Sequence, residues 1–240
     1  MMKKNLLPYI LMLTAILISC SSSNDSGDNT LSKEEKDQGY KLLFDGKDMD
    51  GWRTYQNKSS ESWFVDTGTL HCKGSDANYG AITADLMTKD QYKNFDLSVD
   101  YKISPKGNSG ILYLVTEDSA SSYLSGPEYQ IIDDINFPEK LEAWQHTAAN
   151  YAMNPAPDAK PNPAGEWNHA RIVKNGNHVE HWLNASKVVE YDLHSDDWNK
   201  NKMAEKFKDA AAYGAAEKGY ITFQNHGSEA WFKNIKIKEL

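Results

Sequence analysis

The chain has 240 residues, with 34 acidic against 26 basic side chains and a formal net charge of −8. That balance, with the lysines scattered, excludes the clustered positive charge that nucleic-acid binding needs, and only two cysteines exclude a disulfide framework. Aromatic residues make up 11% of the chain, including seven Trp and thirteen Tyr, a content that suits both β-sandwich cores and sugar-stacking surfaces.

The chain opens on "MMKKNLLPYILMLTAILISC", two lysines followed by an apolar run. It is too short and wrongly flanked for a stable transmembrane anchor and reads as an export signal over residues 1–19. The ending Leu17-Ile18-Ser19-Cys20 resembles a bacterial lipobox, which implies cleavage before Cys20 and acylation of its thiol. Multiple acyl chains make a real membrane tether. Cys72 is then left without a partner. Residues 20–39 are polar and hold no aromatic residue, so they cannot bury enough apolar surface to offset their ordering entropy and are expected to be a flexible tether. Residues 40–240 form one domain, ample for a core.

Within that domain most segments alternate apolar and polar, as half-buried antiparallel strands do. "WFVDTGTLHCKG" predicts a hairpin turning at Asp66-Thr67-Gly68. "FDLSVDYKIS" sets Phe95, Leu97, Val99, Tyr101 and Ile103 on one face. "SGILYLVTE" is a short apolar run and predicts a central strand, and "GPEYQIIDD" predicts another. A short helix is expected from Pro138 to about Thr147, with Pro at its start and Glu139 in the first turn. "NPAPDAKPNPAG" is neither helix nor strand. "HARIVKNGNHVEHWLNASKVVEYDL" predicts three strands with turns at Asn175-Gly176-Asn177 and Asn184-Ala185-Ser186. A second helix is expected across residues 199–216, where Met203, Phe207 and Ala211 recur every four residues. "GYITFQNHG" and "EAWFKNIKIKEL" predict a last hairpin turning at Gly227-Ser228. Many short strands with regular turns favour an all-β, two-sheet antiparallel sandwich with one or two short helices.

Three stretches carry a family resemblance: "LFDGKDMDGW" (Leu43–Trp52), "KGNSGILYLV…GPEYQIIDD", and "PAGEWNHARIVKNGNHVEHWLN…GYITFQNHGSEAWFKNIKIKEL". Together they resemble the 3-keto-disaccharide hydrolase family, in order and over essentially all of residues 40–240. The resemblance implies a concanavalin-like jelly roll, the architecture of laminarinases, and activity on glycosides whose C3 hydroxyl has been oxidised to a ketone. It further implies a lipoprotein that works beside a separate oxidoreductase that makes the ketone. The chain departs from the family pattern at three places. Ala185 stands where Gly is common; a tight turn there needs positive φ, so a longer turn through Ser186 is expected. Asn225 stands where Asp is common, removing a carboxylate. Leu114 stands where Arg is common, which points to a different pocket wall.

In a jelly roll one sheet is concave and forms a cleft. Glu128 and Gln130 are two apart on a strand and share a face; they are assigned to the cleft, with Tyr129 and Ile131 in the core and Asp133 near the strand end. Tyr220, Thr222, Gln224 and His226 share a face in the same way. Trp182, beside Glu180 and opposite His181, suits stacking on a pyranose ring or a place in the core. Asn108 and Ser109 could bind sugar hydroxyls or merely shape a turn. A ketone at C3 acidifies the hydrogen on C2, so a base can form an enolate, C1 can expel its leaving group, and water can add back. This chemistry needs a base, an enolate-stabilising group and an acid, with Glu128 the expected base, His226 the acid or enolate-polarising group, and Gln130 and Gln224 holders of hydroxyls. A divalent metal could replace His226 in polarising the oxygen, ligated by His226 with Asp133 or Glu128; His178 and His181 face opposite ways and cannot share an ion. Two other outcomes stay open: a glycan-binding lipoprotein without catalysis, and a conventional glycosidase pairing Glu128 with Asp133. There is no phosphate loop, nucleophile elbow or His-Glu-x-x-His motif.

Overall fold

A computed structural model describes residues 27–74, 84–204 and 206–240. Among the described residues, thirteen strands are arranged in two antiparallel sheets. The strands are β1 (Lys41–Leu42), β2 (Trp52–Thr54), β3 (Trp63–Asp66), β4 (Thr69–Lys73), β5 (Leu86–Tyr92), β6 (Phe95–Ile103), β7 (Asn108–Val115), β8 (Glu128–Ile132), β9 (Asn168–Asn175), β10 (His178–Leu183), β11 (Ser186–Asp192), β12 (Gly219–Phe223) and β13 (Glu229–Glu239). The eight-stranded sheet runs β11-β10-β9-β6-β13-β4-β3, with β1 also on β13; the five-stranded sheet runs β2-β5-β12-β7-β8. The architecture is the expected jelly-roll sandwich, with helices α1 (Lys33–Asp37) and α2 (Asp196–Ala204) as accessories.

The core lies where the alternating apolar faces meet. Phe95, Leu97, Val99, Tyr101 and Ile103 of β6 are all buried. Phe223 of the smaller sheet stacks on Phe232 of the larger at 4.2 Å between ring centres and on Trp52 at 5.0 Å, so one ring ties the two layers. Burying such a side chain stabilises the fold by about 1.5–3 kcal/mol. His181 is buried among aromatic rings; its Nδ1 faces the Ala148 carbonyl at 2.9 Å and its Nε2 faces the Tyr113 hydroxyl at 2.8 Å. Burial lowers its pKa to about 4, so the ring is neutral. Cys72 is a buried free thiol pushed up to about 12 by burial.

Several expectations change. Residues 27–39 are not a tether. Asn29 and Asn234 exchange hydrogen bonds, Lys233 pairs with Asp28, Lys236 pairs with Glu35, and Ser32 caps α1 in a capping box, so this polar segment is held on β13 by charge and hydrogen bonds, not by apolar burial. β12 and β13 are no hairpin: β12 pairs with β5 and β7, β13 with β6, β4 and β1, and the chain crosses between sheets over residues 224–228. The helix expected from Pro138 shrinks to a single 3-10 turn at Ala143–Gln145, and the second ends at Ala204, leaving Met203 exposed. Leu183 pairs directly with Ser186, so Asn184-Ala185 is a two-residue turn with φ of 47° and 69°; the Asn184 side chain accepts from the His169 N–H and fixes it. Leu114 is no pocket wall: with φ 57° it sits in a bulge of β7 and is fully buried. Cys20 and the export signal lie outside the described residues.

Candidate active site

β8 is an edge strand of the five-stranded sheet, not a central one. Its outer edge is covered by residues 148–151: Ala148 N–H donates to the Gln130 carbonyl, Gln130 N–H to Ala149, and Tyr151 N–H to Glu128. Such cover satisfies the exposed backbone groups of an edge and brings Tyr151 over the sheet. On the inner face of β8, Tyr129 and Ile131 join the core; on the outer face Glu128 and Gln130 line a cavity of about 210 Å³ with Asn108, Tyr123, Tyr151, Lys206, Gln224 and His226. Its floor comes from neighbouring strands: Gly110 of β7 pairs with Gln130 of β8, and Gln224, just past β12, donates its N–H to the Gly110 carbonyl.

Glu128 is 4% exposed and its carboxyl makes no hydrogen bond among the described residues. Burial raises its pKa to about 8; Lys206 pulls it down and Asp85 pushes it up by lesser amounts. A Cβ on Gly110 would stand 2.2 Å from Oε1 of Glu128. The carboxyl therefore lies in space that only glycine leaves open. Lys206 faces the same cavity, its ammonium 4.7 Å from the ring centre of Tyr123 and 4.6 Å from that of Tyr151. Burial lowers its pKa, against the opposing pull of Glu128. His226 is open to solvent at the cavity rim, yet the surrounding walls lower its pKa; Lys206 adds to the effect and Glu139 opposes it. Oδ1 of Asn108 and Oε1 of Gln224 are buried with no hydrogen-bond partner among the described residues. Buried polar atoms left unpaired cost about 1–3 kcal/mol each, and here they face a cavity that a polyhydroxylated ligand could fill.

Eight expected site residues separate into five that share the cavity and three that do not. Glu128, Gln130, Asn108, Gln224 and His226 share the cavity; Ser109 instead donates to the Gln224 carbonyl and is structural. Asp133 does not reach it. Its carboxylate accepts the N–H groups of Lys106, Ile135 and Asn136 and organises the loop after β8; the two-carboxylate glycosidase pairing with Glu128 therefore does not form. Trp182 stands on the outer face of the larger sheet, donating to Glu180 at 2.8 Å with Arg171 over its ring; it is neither core nor cleft. The pair His226 and Asp133 is likewise not assembled. Among the described residues the one set of three His, Asp or Glu side chains within ligand reach is His178, Glu180 and Glu190, on that same outer face, where Lys187 bridges both glutamates. Sequence reasoning missed Lys206, Tyr123, Tyr151 and Gly110. Only Gly110 carried a signal, a glycine inside a strand beside an apolar run.

A family model described as the 3-keto-alpha-glucoside-1,2-lyase-like domain matches residues 39–238. The chain is 32% identical to a 3-keto-disaccharide hydrolase of Bacteroides thetaiotaomicron, over the full length of both. A crystal structure of a candidate glycosyl hydrolase from Parabacteroides distasonis matches with a TM-score of 0.82 at 39% identity, over 89% of this chain and 100% of that one. A second from the same organism matches with a TM-score of 0.63 at 29% identity, over 84% and 99%.

Proposed function

The chain belongs to the 3-keto-alpha-glucoside-1,2-lyase-like family and is a glycoside-cleaving enzyme; on that premise we propose that it acts on glycosides whose C3 carries a ketone, by elimination followed by hydration. One observation carries the reading: a single carboxyl, free of hydrogen bonds among the described residues, raised to about 8 by burial, at the floor of a polar cavity that also holds an ammonium. In the proposed sequence Glu128 takes the C2 hydrogen as a proton, and the electron pair of that bond moves into the C2–C3 bond as the ketone oxygen becomes an enolate. The enolate then expels the C1 substituent, whose departing oxygen takes up the proton held by Glu128, leaving a C1–C2 double bond conjugated to the ketone. Water adding at C1, with a proton returned to C2, completes net hydrolysis.

Each role follows from placement. A carboxylate with a raised pKa is a stronger base than an exposed one, and tuning towards the working pH is what proton transfer rewards. Lys206 supplies positive charge for the enolate oxygen, a preorganised electrostatic stabilisation of the charge that develops there. The lowered pKa of His226 keeps its imidazole neutral near pH 7, so it acts as a hydrogen-bond donor to the departing oxygen rather than as a cationic acid. Gln130, Asn108 and Gln224 hold hydroxyls. The same reading extends to the chain's setting: Cys20 carries lipid, the domain stands on the periplasmic or cell-surface side of a bacterial membrane, and a separate oxidoreductase supplies the ketone. Acyl mass on the exported N-terminal peptide tests the anchor.

The enzymatic reading is tested with a nitrophenyl 3-keto-glucoside beside its unoxidised parent. Nitrophenol release from the oxidised compound alone is expected. Equal cleavage of the parent would point to ordinary glycosidase chemistry and overturn the proposal.

A further inference from the structure

The cleft does not end at His226. Beyond it lies a second hollow, also of about 210 Å³, with Tyr55, Lys58, Asp85, Ser122 and Asn225 in its lining; Tyr123, Gln224 and His226 border both lobes. Either lobe alone is smaller than the roughly 300–1,000 Å³ usual for small-molecule sites, whereas the two together fall within that range. Each lobe has one carboxylate, and the two are differently employed. Glu128 makes no hydrogen bond among the described residues. Asp85 already accepts from the Ser122 hydroxyl and, at 2.8 Å, from the Asn225 N–H. Asn225 turns its Nδ2 into a buried position with no partner among the described residues, while its Oδ1 accepts the Gly227 N–H at 3.0 Å. The second lobe thus offers a fixed acceptor, an unpartnered amide donor and the Lys58 ammonium, and no free base.

Resting on the function proposed above, we infer that the Asp85 lobe seats the leaving group as a second sugar ring, so that the glycosidic oxygen crosses between the lobes beside His226 and Gln224. The oxidised ring belongs in the Glu128 lobe, because only there do an unengaged carboxyl and the Lys206 ammonium face one space. Asp85, Asn225 and Lys58 then act by holding hydroxyls of the departing sugar and set how strongly the enzyme prefers it.

The test compares kcat/KM for a 3-keto-disaccharide of two glucose units with that for methyl 3-keto-glucoside, in the wild-type full chain, Asp85→Asn and Lys58→Met. An Asn amide can still accept from the Asn225 N–H through its oxygen and donate to Ser122, so the fold should tolerate the first change; Lys58 is exposed, so it should tolerate the second. The wild type should prefer the disaccharide, and each variant should cut that preference at least tenfold, mainly through KM. Equal losses on both substrates, or no preference in the wild type, would overturn the inference and leave Asp85 a support for the Gln224–His226 turn. If neither substrate is cleaved, the functional reading fails, and the lobe is judged by glucose binding in ligand-observed NMR. Saturable binding weakened at least tenfold by both variants sustains the inference; no binding, or binding unchanged in the variants, overturns it.

Discussion

Glu128 is costly to the fold and useful to the chemistry for one physical reason. A carboxyl without hydrogen bonds in a buried place resists ionisation, hence the value near 8. The folded state binds that proton more tightly than the unfolded chain does, so the contribution of Glu128 to stability is intact below about pH 4.5 and is lost as pH rises towards 8, by about 1.4 kcal/mol per pH unit of that window. Glu128→Gln should therefore raise the melting temperature at pH 8 and leave it nearly unchanged at pH 4.5, while turnover falls by about 10²–10⁴-fold, the usual worth of a positioned base. The wild-type pH profile should rise through about 8 as the base form appears. Gly110→Ala probes the same carboxyl from beneath: its Cβ would sit 2.2 Å from Oε1 and must displace it. Activity should drop at least tenfold at a stability cost of about 1–3 kcal/mol, typical of overpacking, as read by kinetics beside urea melts.

At the scale of elements, period-2 patterning made most strands legible, because a half-buried strand must alternate. It also placed Glu128 and Gln130 together, since residues two apart on β8 cannot avoid sharing a face. Patterning was silent on which sheet a strand joins, and so β12 and β13 were paired wrongly. It could not say what covers a face, and so Trp182 was offered to the cleft or the core when β10 presents it outward beside Arg171. Lys206 and Tyr151 reach the cavity from loops whose positions are set by tertiary contacts, and nothing local distinguishes them from other lysines and tyrosines. A carboxylate that binds sugar and one that ties a loop look alike in sequence, and Asp133 is the second kind. Burial, which raises its pKa, is outweighed by the N–H groups of Lys106, Asn136 and Ile135, so the net shift is downward. Asp133→Ala should lower stability by about 0.5–1.5 kcal/mol for each loop hydrogen bond lost, with KM of the folded enzyme unchanged. The turn at Asn184-Ala185 yields a prediction of opposite sign. A non-glycine residue in the left-handed region costs about 1–2 kcal/mol, and glycine returns part of that through unfolded-state entropy. Ala185→Gly should stabilise by about 0.5–1 kcal/mol in urea melts without touching activity.

For the whole molecule, the division of labour is between two layers. The larger sheet closes the core and receives residues 27–39 on its β13 strand; the smaller sheet bears the cavity on its outer face, roofed by the turn at Ser122–Leu124, residues 148–151 and the chain after α2. A rigid floor with loop-borne walls is a common way to let one architecture carry different chemistries, and here it holds a buried base within reach of an ammonium without forcing them into a quenching ion pair. The most direct test follows the C2 hydrogen of methyl 3-keto-glucoside by NMR in deuterated buffer, with wild type and Glu128→Gln side by side. Deuterium entering C2 together with methanol release in the wild type, and neither in the variant, is the predicted result. Methanol release with the C2 hydrogen retained, or exchange undiminished in Glu128→Gln, would contradict the account.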